Sequence, residues 1–181
     1  MLEYIKGKIV EKGEGFVVVE VGSIGFFIYT PSDFDVGSSE EIFLKMFIKE
    51  ESPVMYGFRT REERDLFVQL LSVNGVGVKH AISILGRYSV GEILDILEEG
   101  DVDALTDVPG IGKKTAQRII LELKGRVDFM KNELVEDVVN ALVNLGFEKK
   151  EALFAAKESV KETKDLEKAI KKALQKITEK R

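Results

Sequence analysis

Lys79, Lys113 and Lys114 close two stretches that repeat one another. Asn74-Gly75-Val76-Gly77-Val78-Lys79 is matched, 35 residues on, by Pro109-Gly110-Ile111-Gly112-Lys113-Lys114. The chemistry that suits these residue types is anion binding. Glycine tolerates φ > 0 and lets the chain come close to another molecule. The amides after the second glycine are the free N–H groups of a new helix, and its dipole favours negative charge there. Lysine at the first or second helical position puts a cation where a phosphate oxygen would sit, and Arg118 follows on the same run. The offset also relates Leu71 to Thr106, Val73 to Val108, Ala81 to Ala116 and Leu85 to Ile120.

In each copy an apolar helical run enters the Gly-x-Gly turn and a second run leaves it. That order resembles a helix-hairpin-helix, a module that grips a nucleic-acid backbone without reading bases. Thr60-Arg61-Glu62-Glu63 has the form of a capping box and predicts a helix from Arg61, with Leu66, Phe67, Leu70 and Leu71 as its buried stripe. Ala81, Ile82 and Leu85 continue the pattern after the first turn. Ser89-Val90-Gly91-Glu92 opens a further helix that stops near Gly100, and a turn through Leu105 leads to the second hairpin. Ala116, Ile119, Ile120 and Leu123 line the helix that leaves it. The lone histidine, His80, reads as a surface or phosphate-facing residue beside Lys79.

Upstream, Tyr4–Val10, Phe16–Val21, Phe26–Tyr29, Ile42–Ile48 and Val54–Phe58 are rich in β-branched and aromatic residues and read as strands. Five short strands suit an OB-type barrel; the pattern alone fits a different small barrel nearly as well. Downstream, Leu134, Val138, Ala141, Leu142 and Leu145 form one helical stripe, Leu153, Ala156 and Val160 a second, and Leu166, Ile170, Ala173, Leu174 and Ile177 a third. The expected fold class is α+β multidomain: a barrel over 1–62, tandem hairpins over 63–126, a short linker over 127–133 and a UBA-like three-helix bundle over 134–181. Phe147 and Phe154 are candidates for a partner contact on the bundle; completing its core is the alternative for both.

Composition narrows the function. The net charge is −5, so a nucleic-acid face has to be a local concentration of Lys and Arg. The absence of cysteine removes disulfides, thiolate metal sites and cysteine nucleophiles, and a cytoplasmic protein is the simplest fit. No run is apolar enough to span a membrane. With one histidine and no clustered ligands, neither a metal nor a cofactor is expected.

Glu50-Glu51-Ser52-Pro53-Val54-Met55-Tyr56-Gly57-Phe58, Asn74-Gly75-Val76-Gly77 and Leu105…Pro109-Gly110-Ile111-Gly112-Lys113-Lys114-Thr115-Ala116 together resemble the RuvA family along essentially the whole chain. The resemblance implies a homotetramer that holds a four-way (Holliday) DNA junction open and square-planar, with one or two tetramers per junction. It implies a last domain that recruits the hexameric ATPase RuvB for branch migration, with RuvC resolvase as a further partner, in recombination, repair and the SOS response. Glu50 and Glu51 match the family's acidic pin, while the hairpin residues Gly75, Val76, Gly77, Lys79, Gly110, Ile111, Gly112, Lys113, Lys114 and Arg118 are the candidate DNA contacts by their own chemistry. The stretch 127–133 is shorter than the family's usual linker.

Two enzyme readings fit less well. Base-excision glycosylases have a similar hairpin in which a lysine attacks the sugar; Lys114 would take that place, but Asp128 is poorly placed to be the required carboxylate. Gly110–Thr115 lacks the Gly-x₄-Gly-Lys-Ser/Thr spacing of a phosphate loop, so ATP hydrolysis has to come from a partner.

Overall fold

A computed structural model describes residues 2–163 and 165–178, and only the backbone course for 125–133. The chain divides into two compact units. One is Met1–Arg87 with Val108–Gly110; the other is Tyr88–Asp107 with Ile111–Arg181.

The first unit opens with β1 (Tyr4–Gly13), β2 (Phe16–Val21), β3 (Ile24–Tyr29), β4 (Ser39–Lys49) and β5 (Ser52–Phe58). They close in the order β1-β2-β3-β5-β4, with β4 returning to pair with β1. Tyr29 beside Tyr56 makes the parallel β3–β5 pairing, and this order is that of an OB-like barrel. Period-two alternation sends Ile5, Ile9, Val17, Val19, Ile28, Ile42 and Leu44 inward, where Phe34 joins them. The register of β1 against β2 shifts between Ile9 and Glu11, a bulge that coils the strand and leaves Val10 exposed. Gly57 is required by space: a Cβ there would lie 2.5 Å from Ile42 Cγ2 and 2.6 Å from Ile28 Cγ2.

Aromatic rings run across the outside of the barrel. Phe16 stacks on Phe27 at 4.6 Å, Phe27 meets Tyr29 edge-on at 5.1 Å, and Tyr29 stacks on Tyr56 at 5.7 Å. Tyr56 and Phe58 then pack on Phe67 of α1 (Arg61–Leu71), at 5.5 and 4.9 Å. The barrel and its first helix are thereby joined through rings, a contact type that adds to simple burial.

The α1 cap departs from the expected reciprocal box. Thr60 Oγ1 accepts the Glu63 amide at 3.1 Å, but the Glu63 carboxylate accepts the amide of Arg59, at 2.9 Å, and the Ser32 hydroxyl at 3.4 Å. Glu63 thus ties the helix start to the β3–β4 loop. After α2 (Val78–Arg87), the second unit begins with α3 (Val90–Glu99). There Ser89 and Glu92 make the full reciprocal box, and Gly100 ends the helix at φ 75°. The expected turn through Leu105 is a helix, α4 (Val102–Thr106), because the Asp101 side chain caps it at the Ala104 amide, 3.0 Å away.

One helix, α5 (Lys113–Asn144), leaves the second hairpin and continues through 127–133, where the sequence suggests a linker. It is followed by α6 (Lys149–Glu162) and α7 (Leu166–Thr178). The bundle core keeps most of the expected stripes, with Leu134, Val138, Leu142, Ala156, Val160, Ala173 and Ile177 buried, and departs from them at Leu145 and Leu153. Ala152, Ala155, Ala156 and Ser159 of α6 are buried with Ala169 and Ala173 of α7. Small side chains let the two helices approach closely, and this turns Leu153 outward; Leu145 is likewise 62% exposed.

Candidate nucleic-acid interface

Each hairpin is built from a left-handed glycine, a buried apolar residue and an open glycine. Gly75 has φ 88° and Gly110 φ 86°, conformations that a side chain would oppose. Val76 and Ile111 follow as plugs, 6% and 4% exposed. Burying each contributes about 1.5–3 kcal/mol to holding the turn. Their side chains point inward, so Val76 and Ile111 can offer a ligand only their main chain.

Gly77 and Gly112 need no special φ; Gly112 is extended at φ −87°, ψ 165°. What distinguishes both is space, since a Cβ on either would meet nothing within 4 Å. Each accepts the first helical hydrogen bond, Ala81 N–H to Gly77 O at 3.1 Å and Ala116 N–H to Gly112 O at 2.9 Å. Each is therefore the N-cap of its helix, and neither has a side chain with which to cap it.

The other helices show what has been left out. α1, α3 and α4 are closed by Thr60, Ser89 and Asp101 and carry acids in their first turns, as do α6 and α7. Among the described residues, α2 and α5 are the two helices without a first-turn acid. Acids there would satisfy the amides and repel a phosphate; their absence leaves the positive end of the dipole available. The sequence itself carries this signal, in the absence of Asp and Glu just after Gly77 and Gly112.

Lys79, Lys113 and Lys114 are exposed, and none forms an ion pair among the described residues. Elsewhere lysines are committed to acids: Lys12 to Asp33 at 3.0 Å, Lys171 to Glu167 at 2.7 Å, and Lys172 and Lys176 to Glu162. Arg118 is exposed on α5 but has a partner of its own. His80, expected at the surface or facing a phosphate, is half-buried, and its Nδ1 accepts the Gly77 amide at 3.3 Å.

Glu50 and Glu51 form the two-residue turn between β4 and β5, with Lys49 paired to Ser52. Both are exposed and both are left-handed, at φ 49° and 65°. Such hairpin turns ordinarily use Asn-Gly. Two consecutive acids there are a conformational cost of roughly 1–2 kcal/mol each, and they place two carboxylates at the tip.

On the bundle, Phe147 packs against the core while Phe154 is 59% exposed. Val143, Leu145 and Leu153 are exposed as well, near the α5–α6 corner and on α6. Among the described residues no acid and histidine group could hold a metal ion, and no helix is long and apolar enough to cross a membrane.

A barrel of OB type, tandem helix-hairpin-helix turns with open, cation-flanked helix starts, and a terminal helical bundle define a multidomain DNA-binding protein. Family profiles match all three parts: RuvA N terminal domain over 1–57, SAM-like helix-hairpin-helix tandem over 67–125, and RuvA C-terminal domain over 133–178. The chain is 39% identical to the Holliday junction branch migration complex subunit RuvA of Bacillus velezensis, over 99% of this chain and 90% of that one. It is 40% identical to the protein of that name from Thermodesulfovibrio yellowstonii, over 84% of each chain. A Thermoanaerobacter relative so named is 38% identical, over 98% and 99%. The chain belongs to the RuvA family.

Proposed function

We propose that this protein binds four-way DNA junctions through their phosphates, holds them open and square-planar as a homotetramer, and recruits RuvB as the motor for branch migration. The observation that carries the reading is the pair of helix starts, α2 and α5, each with a side-chain-free cap and no first-turn acid, one bearing unpaired Lys79 and the other unpaired Lys113 and Lys114. A phosphate accepting a main-chain N–H there gains a charge-assisted hydrogen bond of about 1.5–3 kcal/mol. Gly75, Gly77, Gly110 and Gly112 shape the turns, the amides beyond them bind, and Lys79, Lys113, Lys114 and Arg118 supply the attracting charge. Phosphates are the same at every base pair, so the grip is indifferent to sequence and compatible with a junction that moves.

Glu50 and Glu51 act as a charged obstacle between exchanging strands. A carboxylate about 6 Å from a phosphate in water is repelled by only ~0.7 kcal/mol, so the effect depends on several copies meeting at one centre. The exposed rings of Phe27 and Tyr29 give the barrel an apolar face on which copies can associate. Phe154, with Leu153 and Leu145, gives the bundle an apolar face for the motor.

The test compares binding to a four-way junction and to linear duplex of the same sequences, with solution mass measured alongside. The expected result is preferential junction binding by a species of four subunits or eight. Equal affinity for both DNAs would overturn the junction reading, and a monomeric mass on the junction would overturn the assembly.

A further inference from the structure

His80 occupies the third position of α2, where a capping box elsewhere in this chain has glutamate. It does half of the same work: its Nδ1 accepts the N–H of Gly77, the N-cap, at 3.3 Å. Accepting through Nδ1 means that this nitrogen carries no proton, so in the neutral ring the proton is on Nε2. The other edge of the ring lies against the second turn, since a Cβ on Gly110 would be 3.3 Å from both His80 Nε2 and Cδ2. The ring is therefore fixed between the amide of one Gly-x-Gly turn and the first glycine of the other. A glutamate in its place would satisfy the amide permanently and repel phosphate; an imidazole satisfies it only while neutral.

We propose that His80 is a proton-linked positioning residue of the first hairpin, which keeps the Gly77 amide occupied in the free protein and releases it to a DNA phosphate by taking up a proton. Once Nδ1 is protonated it can no longer accept from Gly77, and two donors then face one another. A phosphate oxygen resolves that arrangement by accepting from both, and the imidazolium adds a cation to the turn. The inference rests on the phosphate-gripping reading of that turn. Lys79 is the neighbour of His80 on α2, while the turn Asn74–Gly77, the segment Val108–Gly110 and the last turn of α1 carry no ionisable side chain.

His80 is the single histidine of the chain, and DNA has no group that titrates between pH 5.5 and pH 8. Proton uptake on binding in that range that is lost in His80→Asn therefore reports on this ring and not on the N-terminal amine, which also titrates there. The experiment is calorimetric titration of the full-length protein with a synthetic four-way junction at pH 6.5, in buffers of differing ionisation enthalpy, together with affinities from pH 5.5 to 8. The expected result is net proton uptake and about tenfold tighter binding at the acid end, the effect of one added charge-assisted hydrogen bond. His80→Asn, which retains an acceptor for the Gly77 amide but does not titrate, should bind with no uptake and a flat pH profile. Junction binding by the wild type without proton uptake, or an unchanged profile in His80→Asn, overturns the inference and leaves the phosphate grip standing. Failure of the wild type to bind the junction at any pH overturns both.

Discussion

Gly77 and Gly112 hold the same local position in two separate hairpins: each is the N-cap of a helix, and each faces open space where a side chain would begin. Since neither φ demands glycine, the residue serves access. Aspartate is a good N-cap and fits without a clash. Gly77→Asp and Gly112→Asp should each leave thermal stability unchanged or raise it by a few tenths of a kcal/mol. The same carboxylate would occupy the amides and repel phosphate, so junction affinity should fall by about a hundredfold, equivalent to one or two charge-assisted hydrogen bonds. Thermal melts and gel shifts on the same samples check this; undiminished binding would remove the turn from the interface.

Lys113 and Lys114 should act without regard to base sequence. In the double variant Lys113→Ala with Lys114→Ala, binding should weaken alike on junctions of unrelated sequence. If each subunit neutralises about two phosphates, a tetramer's log affinity should fall with log salt at a slope near ~−7. The double variant should flatten that slope by roughly one for each phosphate it no longer neutralises. A titration from low to moderate salt decides it, and an unaltered slope would exclude these lysines.

The β4–β5 turn permits stability and function to be separated. Glu50→Asn with Glu51→Gly gives the turn residues that accept left-handed φ, and should stabilise the protein by about 1–2 kcal/mol in urea. Glu50→Gln with Glu51→Gln keeps the strain and removes the charge. It should leave junction affinity equal or tighter while changing the rate of RuvB-driven branch migration. Collapse of affinity in the glutamine variant would contradict the role assigned to the carboxylates.

Acid should weaken the start of α3. The Ser89 amide, then its hydroxyl, hold the Glu92 carboxyl below its ordinary value of 4.5. A depressed folded value means that the stabilisation is complete above 4.5 and is lost as pH falls through the folded value. Urea midpoints of wild type and Glu92→Gln should therefore run parallel at neutral pH and converge as pH falls below 4.5. Midpoints that stay parallel down to about pH 3 would show that the box contributes nothing titratable.

Much of this architecture is visible in local sequence, because its signals are local. Ser89 and Glu92 announce α3, Gly100 ends it, and paired glycines announce the hairpins. What escapes depends on distant partners or on competition between faces. The diversion of Glu63 to the Arg59 amide needs the β3–β4 loop beside it, and the closure of β3 on β5 through Tyr29 and Tyr56 is a long-range pairing. In α6 both Leu153 and Ala152 lie on plausible stripes, and close approach of α7 favours the alanines. The helix through 127–133 has a signal of its own, since that stretch contains no glycine, proline or serine to stop it. A change of domain suggests a linker there, but nothing in the local chemistry breaks the helix. For the hairpins, the glycines and lysines are plain from spacing, while the inward direction of Val76 and Ile111 needs the packed turn.

The connection between β4 and β5 has no slack. With only Glu50 and Glu51 between paired Lys49 and Ser52, the tip cannot lengthen or sway as a longer loop would, and the reach of its two carboxylates is set by the strands beneath. In the role proposed for it, a DNA strand moving past would meet a fixed post whose position is set by the strands beneath.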